Sequence, residues 1–589
     1  MGTFLTSLDS GARKLDSSSA FRHPWHMNRR LPIPPRRRPL PPWGAFLLLV
    51  LAAAASAATH DVDFSILLPE AERVYLAGSF NDWDVSADSL MANEDGIWKK
   101  TVALDEGTHA YRFKAEGEAI SGDGWTLDWK SSRQARKQRG QASSGLIVPD
   151  DLDAFHARQQ RARETDQGIE IPLFYDRQPD EGAAYRLGGY ASHSLQTVPP
   201  AGDWKLPGFT GERPLFALIR IGESQFLAAL DRKSSGDAIY NHAFFDQNGN
   251  GDLTDDPPID GDVRGYSAGS YFNCSFPSID VTIESGGRRM PYALSLRLSG
   301  TMPGTDADSR PGSNSLRNIR LLSAPQCAYL GEFALGGTGY RIALGDSTGN
   351  GAFDDPASLP EGTRYGDGSL YARGDSFFIT TAGRITTADG LLFGGFLSLG
   401  DRLFKVRADI PEGRLLLEPR LKDVGTLELP VPLRSMSMLS ASGDEALMLA
   451  HTGNRAAVPA GAWRLLSYQL AKTDEWGDEW ILQARGAEDS PSTAVSPNGS
   501  AALPLGEPLQ ASIEIPDYAL QQAVAKGSLR MSLAILGNAK ERISDLRRAS
   551  GTNTQHKMAP RDPNRPEAAA YRIIKPDGER VASGSFEYG

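Results

Sequence analysis

Two acidic loops contain the side chains with the clearest capacity for metal chemistry. Each loop places oxygen-bearing side chains at its first, third and fifth positions, a glycine at the sixth and an apolar residue at the eighth. Alternating oxygens can surround a hard cation such as calcium, and the glycine permits the sharp bend that brings them together. The candidate calcium ligands are Asp246, Asn248, Asn250, Asp252 and Asp256 in the first loop, and Asp346, Thr348 and Asn350 in the second.

Both loops depart from the full calcium-loop pattern at the twelfth position, where a bidentate glutamate is expected. Pro257 and Ala357 stand there instead. Adjacent aspartate pairs at 255–256 and 354–355 offer replacement carboxylates. The sequence therefore predicts structural calcium of extracellular affinity. An ordinary turn between strands, with solvated aspartates, is the alternative.

A third group of candidate residues combines aromatic rings with a cation on β-structure. Apolar runs in segment 74–114 are separated by turn residues at 95–96 and 106–107, which predicts a small sandwich of short strands. The order LAGSFNDW, DGIWKKTVAL and GTHAYRFKAEG resembles the glycogen-binding module of AMP-activated kinase β subunits. It also resembles the early-set domain that precedes the catalytic barrel of isoamylases and branching enzymes.

The resemblance implies an immunoglobulin-like early-set sandwich over residues 60–148 that binds an α-glucan such as glycogen or starch. In such modules two tryptophans and one cation hold the sugar, and these positions match Trp83, Arg112 and Trp125. An indole packs on the apolar face of a sugar ring, and a nearby cation donates to hydroxyls. The sequence departs from the family pattern at residues 118–124, which are inserted before Trp125. The alternative is a structural sandwich with Trp83 in its core.

The N-terminal region reads as a targeting leader over residues 1–58. Basic residues precede a short apolar run from Trp43, and small residues near Ala58 follow as a cleavage site. The sequence predicts an exported protein, periplasmic or extracellular, without a stable membrane span after cleavage; an uncleaved anchor is the alternative. Without the leader's net +6, the chain's −11 becomes about −17, which argues against a nucleic-acid partner.

The chain has two cysteines, Cys274 and Cys327. Neither shows the spacing of a metal or redox site. Since an exported protein favours oxidised pairs, the sequence predicts one disulfide between them, with two buried thiols as the alternative.

The remaining chain also predicts β-structure, because 61 glycines and 38 prolines favour turn-rich folds over helical bundles. We expect an all-β protein with several β-sandwich domains. The predicted segments are the leader 1–58, the early-set sandwich 60–148, a linker or short exposed helix at 149–168, a central β domain 169–411 with both acidic loops, and a C-terminal sandwich-like region 412–589.

We find no persuasive catalytic constellation in the sequence, which contains no HExxH or P-loop pattern. We therefore expect an exported, non-catalytic protein with an α-glucan-binding module and structural calcium loops. Two alternatives stay open. One is a glycan-active hydrolase with its active site in the central domain, and the other is a purely structural cell-surface protein.

Overall fold

The computed structural model describes residues 59–586, apart from residues 121, 129, 132, 139–140, 149, 179–188, 238, 265–270, 302–318, 363, 382–384, 516, 527–528 and 552–555. Nearly all regular structure in these ranges is β, which confirms the all-β fold class. No helix in these ranges is long and apolar enough to cross a bilayer. The predicted leader lies outside the described residues.

The N-terminal sandwich consists of two small antiparallel sheets, ordered β1-β4-β3 and β2-β5-β8-β7, with β6 added beside β5. Apolar and polar residues alternate along its strands, and the apolar ones form its core. In β1, for example, Val62, Phe64 and Ile66 point inward between polar residues. Its strands are β1 (Thr59–Leu67), β2 (Arg73–Gly78), β3 (Ala92–Glu94), β4 (Ile97–Asp105), β5 (Gly107–Glu116), β6 (Trp125–Thr126), β7 (Arg133–Gln138) and β8 (Gln141–Val148), with a 3-10 turn at Ala87–Ser89.

A short helix, α1 (Leu152–Arg158), occupies the segment predicted as a linker or exposed helix. The helix is present, but it is not simply exposed. Phe155 packs in the sandwich core edge-on to Phe64 and Tyr111, and Gln159 is buried just after the helix. Residues up to about 159 therefore complete the sandwich.

The central region forms several antiparallel sheets around one large core. Its strands are β9 (Arg163–Thr165), β10 (Gly168–Pro172), β11 (Phe174–Arg177), β12 (Ala191–His193), β13 (Leu215–Ile221), β14 (Ser224–Asp231), β15 (His242–Phe245), β16 (Ile259–Asp260), β17 (Asp262–Arg264), β18 (Tyr271–Ser275), β19 (Ile279–Ser285), β20 (Arg288–Thr301), β21 (Ile319–Pro325), β22 (Cys327–Leu335), β23 (Thr338–Gly345), β24 (Ser376–Thr380), β25 (Gly390–Leu392), β26 (Phe396–Leu399) and β27 (Arg402–Asp409), with a 3-10 turn at Thr387–Asp389.

The C-terminal region adds further sheets and a second large core. Its elements are β28 (Arg414–Pro419), β29 (Val424–Glu428), β30 (Ser435–Ser440), β31 (Ala446–Ala450), β32 (Arg455–Pro459), β33 (Gly461–Thr473), β34 (Glu479–Arg485), β35 (Thr493–Val495), β36 (Ser500–Ala502), β37 (Gln510–Glu514), α2 (Asp517–Lys526), β38 (Ser532–Leu536), β39 (Arg542–Ser550), β40 (Met558–Ala559), β41 (Asp562–Pro566), β42 (Ala570–Ile574) and β43 (Arg580–Ser585).

One sheet runs across the predicted boundary at residues 411 and 412. That boundary falls in the turn between β27 and β28, and β26 pairs in parallel with β31. Leu447 and Leu449 of β31 face the C-terminal core, whereas Met448 and Ala450 face the central core. Because both faces are covered, β31 is a continuous apolar strand.

A buried charged contact joins the N-terminal sandwich to the central region. The ammonium of Lys130 lies 2.9 Å from a carboxylate oxygen of Glu332 on β22, and the Lys130 side chain is 1% exposed. The same ammonium donates to the Ser65 hydroxyl on β1 at 3.3 Å. These contacts hold the sandwich in one position against β22.

Candidate functional site

The turn after β2 places Trp83 on the rim of the N-terminal sandwich. The Asn81 side chain closes this turn, since it accepts from the Gly78 amide at 2.8 Å and donates to the Leu76 carbonyl at 3.0 Å. Asp82 and Trp83 both have left-handed backbones, with φ of 53° and 63°. Such a conformation is unfavourable for a bulky residue, so the surrounding hydrogen bonds must impose it.

Strand β5 presents the cation of the predicted group. Tyr111, Phe113 and Ala115 are buried in the sandwich core, so Arg112 and Lys114 between them project from the outer face of the sheet. β2 pairs along one edge of β5, and the short strand β6 pairs along the other. Arg112 is therefore flanked by elements from both sides.

The residues inserted after β5 form a return loop that leads into β6. The Ala115 amide donates to the Gly124 carbonyl at 2.8 Å, and the Trp125 amide donates to the Asp123 carboxylate at 3.2 Å. In this register Trp125 lies opposite Lys114. The insertion thus brings Trp125 to the edge of β5 instead of carrying it away.

The structure brings Trp83, Arg112 and Trp125 together. The guanidinium carbon of Arg112 lies 5.3 Å from the ring centre of Trp83 and 5.1 Å from that of Trp125. Both indoles are partly exposed. We call this group the cradle. The alternative in which Trp83 belongs to the core does not hold, because the core lies on the other face of the sheet.

Lys114 is a cradle neighbour that the sequence reasoning did not single out. Its ammonium lies 5.9 Å from the Trp125 ring centre and donates to the Asp123 carbonyl. The signal was the two-residue period of β5, which places residue 114 on the same face as Arg112.

Comparison with known families supports a carbohydrate-binding role for this domain. Residues 51–131 match carbohydrate-binding module 48, the isoamylase N-terminal domain. The match spans the cradle and confirms the resemblance of the N-terminal domain; it also agrees with the immunoglobulin-like sandwich. No curated protein matches the chain.

The first acidic loop has the glycine bend and the buried apolar anchor that its spacing predicts. Leu253 at its eighth position is fully buried, and Gly251 at its sixth has a φ of 81°. The Asp246 carboxylate accepts the amides of Asn250 and Gly251 at 3.0 and 3.1 Å. Lys205 already neutralises Asp252 at 2.6 Å, and this contact lowers the pKa of that carboxyl to about 2.

More buried carboxylate groups meet at the second loop than at the first. Asp346 and Asp375 are both fully buried, and Phe353 anchors the loop in the core. The hydrogen bonds that these two carboxylates accept from described residues come from backbone amides and hydroxyls, which carry no charge. Burial, followed by repulsion from Asp346, raises the pKa of Asp375 to about 8.

Asp375 was missed by the sequence reasoning, because it lies 29 residues after Asp346. The two meet because β23 and β24 pair with Gly345 opposite Ser376. Asp355 joins them, since its amide donates to Asp375 at 2.9 Å and its carboxylate accepts from Thr348 at 2.9 Å. The local spacing thus located two of these three carboxylates.

Within the described ranges, three metal-ligating side chains also meet near the turn between β33 and β34. Ligand atoms of Asp474, Asp478 and His556 lie within 4.8 Å of one another. However, Asp474 already accepts four hydrogen bonds, from the Trp480 and His556 rings and from two backbone amides. Arg548 lies 3.1 Å from Asp478. These contacts stabilise the turn.

The predicted disulfide is not formed, because Cys274 and Cys327 are both free and buried. Cys274 pairs with Leu298 of β20, whereas the Cys327 thiol contacts the backbone of Ala293 on the same strand. Five residues of strand separate these positions by about 16 Å. A disulfide requires Cα atoms within roughly 7 Å, so this fold separates the two thiols.

Proposed function

We propose that this chain is an exported, non-catalytic protein that binds α-glucan through its N-terminal sandwich. The observation that carries the proposal is the Arg112 guanidinium between the indoles of Trp83 and Trp125. Two partly exposed indoles provide apolar surfaces for sugar rings, and the guanidinium supplies donors for hydroxyls. The family match over residues 51–131 supports a carbohydrate ligand.

The hydrogen bonds that position the cradle support binding over a purely structural role. Asn81 closes the Trp83 turn, the return loop fixes Trp125, and the Lys130–Glu332 contact anchors the sandwich to the central region. A preorganised site loses little conformational entropy when ligand binds. The glucan is therefore held at a fixed position relative to the rest of the chain.

Calorimetry of the full chain with maltoheptaose tests this proposal. We expect saturable binding, and no release of reducing sugar during prolonged incubation with soluble starch. Absence of binding would contradict the glucan assignment. Release of reducing sugar would instead support the hydrolase alternative. Fractionation of the native host, with the protein outside the cytoplasm, tests export.

We also propose that the second acidic loop holds a structural calcium ion. Asp346, Asp375 and Asp355 supply carboxylates, and Thr348 and Asn350 supply neutral oxygens, which is a donor set suited to a hard cation. The supporting observation is the pair of fully buried carboxylates whose described donors are uncharged. An ion would relieve the repulsion that raises the pKa of Asp375. The first loop is the weaker candidate because Lys205 already neutralises Asp252.

A further inference from the structure

A hairpin between β23 and β24 carries a second group of exposed aromatic rings and cations. Within it, Arg364 and Leu370 form an antiparallel bridge, and the Tyr365 amide donates to the Ser369 carbonyl at 3.0 Å. The Leu370 side chain is buried in a small apolar core, and its amide donates at 2.8 Å to the Gly486 carbonyl, just beyond β34. The hairpin is therefore fixed against the C-terminal sheet, and it belongs to a different part of the chain from the cradle.

Tyr365 and Tyr371 present their rings at the surface of this hairpin. Each residue is 37% exposed, and the two ring centres lie 4.9 Å apart with perpendicular planes. The Arg485 guanidinium carbon lies 4.0 Å from the centre of the Tyr365 ring and covers one face of that ring. Because this stacking occupies Tyr365, we expect a ligand to stack on Tyr371.

Hydrogen-bonding groups of both kinds accompany the two rings. The guanidinium carbon of the exposed Arg373 lies 5.8 Å from the centre of the Tyr371 ring. At the tip of the hairpin, one carboxylate oxygen of Asp367 accepts from the Ser369 amide and hydroxyl, at 2.9 and 2.7 Å. The other carboxylate oxygen accepts no hydrogen bond from a described residue, so it is open to a ligand. We call Tyr365, Tyr371, Arg373 and Asp367 the platform.

Most charges near the platform are already balanced by a neighbour. The ion pairs are Arg364 with Glu488, Arg542 with Glu514, and Lys540 with Asp489. Arg485, which stacks on Tyr365, also attracts the Asp367 carboxylate. Within the described part of the chain, Arg373 is the platform cation without a carboxylate partner. One such cation beside an open carboxylate oxygen suits a neutral, hydroxyl-rich ligand better than an anion.

A groove begins one strand away from Arg373. Ser358 and Arg373 exchange backbone hydrogen bonds at 2.7 and 2.9 Å, so their side chains lie on the same face of this strand pair. Ser358 lines a groove of about 310 Å³ together with Pro360, Ser440 and Arg464. This volume is at the lower end of the range for small-molecule pockets. The groove gives room for a further sugar next to one that stacks on Tyr371.

We propose that the platform is a second α-glucan-binding site of this chain. Tyr371 stacks on a sugar ring, Arg373 and Asp367 bind its hydroxyls, and Arg485 positions Tyr365. The ligand class rests on the proposed function of the cradle, where an arginine likewise lies against aromatic rings. A glucan chain that engages both sites is held more tightly than by either site alone.

Calorimetry with maltoheptaose on a full chain whose cradle is disabled tests the proposal. The double variant Trp83→Ala, Trp125→Ala should keep weak, saturable binding, and adding Tyr371→Ala should remove it. Adding Tyr371→Phe instead keeps the ring and should keep the binding. No residual binding in the double variant, while the native chain binds, would overturn the platform and leave the cradle in place. No binding by the native chain would contradict both sites.

Further variants in the same double-variant background locate the residual binding. Tyr271→Ala is the matched control, because Tyr271 is 58% exposed on β18, outside the platform, and its loss should change nothing. Melting curves check that Tyr371→Ala folds. Should it not, Arg373→Gln provides a second test, and we expect it to lower the residual affinity by about tenfold. Full residual affinity in both platform variants, or an equal loss in Tyr271→Ala, would overturn the proposal.

Discussion

The Arg112 guanidinium carbon lies 5.1 Å from the ring centre of Trp125, although an insertion separates the two residues in the sequence. The contact arises because β6 returns along the edge of β5. The second indole of the cradle thus depends on the return loop as well as on the tryptophan itself.

Replacing either cradle tryptophan should weaken glucan binding. Trp83→Ala or Trp125→Ala removes a stacking surface worth about 1.5–3 kcal/mol, which corresponds to a roughly tenfold to hundredfold lower affinity for maltoheptaose. Trp476→Ala is the matched control, because Trp476 is half exposed on the β33–β34 turn, outside the sandwich. Calorimetry measures the affinity of the three variants for maltoheptaose. Equal affinities in all three would mean that the glucan binds outside the cradle.

The family resemblance predicted the cradle residues, and local rules of the backbone explain why two of them lie where they do. The alternation of β5 places Arg112 on the outer face, and the turn 78–83 positions Trp83 through hydrogen bonds within six residues. The position of Trp125 could not be predicted in the same way, because it depends on the register in which β6 pairs with β5. Local rules do not determine that register.

The acidic loops and the disulfide show the same contrast between local rules and the pairing of distant strands. The acidic loops show their predicted glycine bends and buried apolar anchors, whereas Asp375 reaches the second loop only through the pairing of β23 and β24. The disulfide prediction failed because cysteine count and compartment say nothing about where two strands contact β20. The position of Asp375 and the separation of the two cysteines both depend on how distant strands pair in the folded chain.

The two thiols should remain unreactive until the protein unfolds. Burial raises the pKa of Cys274 and of Cys327 to about 12, so the nucleophilic thiolate is scarce near neutral pH. Mass spectrometry after alkylation without reductant should show no modification of the native chain and two modified cysteines after denaturation. A mass showing no alkylation in the denatured, unreduced protein would mean that the disulfide forms after all.

Breaking the contact between Lys130 and Glu332 should cost more stability when the glutamate is replaced than when the lysine is replaced. Arg341 is also buried, and attraction to Glu332 partly offsets the burial that lowers the pKa of this arginine. Glu332→Gln therefore removes a carboxylate that attracts two buried cations, whereas Lys130→Met leaves Glu332 near Arg341. We expect the glutamate variant to lose more, of the order of 3–5 kcal/mol. Denaturant unfolding measures both, and equal losses would argue against the shared carboxylate.

The second acidic loop should make stability depend on pH when calcium is absent. The pKa of Asp375 is raised from 3.8 to about 8 in the folded chain, so this carboxyl binds more protons folded than unfolded between these values. The stability that Asp375 contributes to the folded chain is complete below about pH 4 and is lost as pH rises toward 8. In chelator, the melting temperature should fall across this window, and Asp375→Asn should flatten the decline. An unchanged slope in the variant would assign the pH dependence to other groups.

Calcium should reverse this loss at neutral pH, because an ion favours the charged form of the carboxylates that burial disfavours. At about 100 times the dissociation constant, binding to the folded state alone stabilises by about 2.7 kcal/mol. Asp375→Asn resembles the protonated side chain in shape, so it should fold yet lose the response to calcium. Asp246→Asn in the first loop is the control and should retain it. Melting curves with millimolar calcium and with chelator provide the measurement. If calcium raises the melting temperature of Asp375→Asn as much as that of the native chain, the ion binds away from the second loop. If it raises neither, the buried carboxylates of this loop are held by protonation and hydrogen bonds alone.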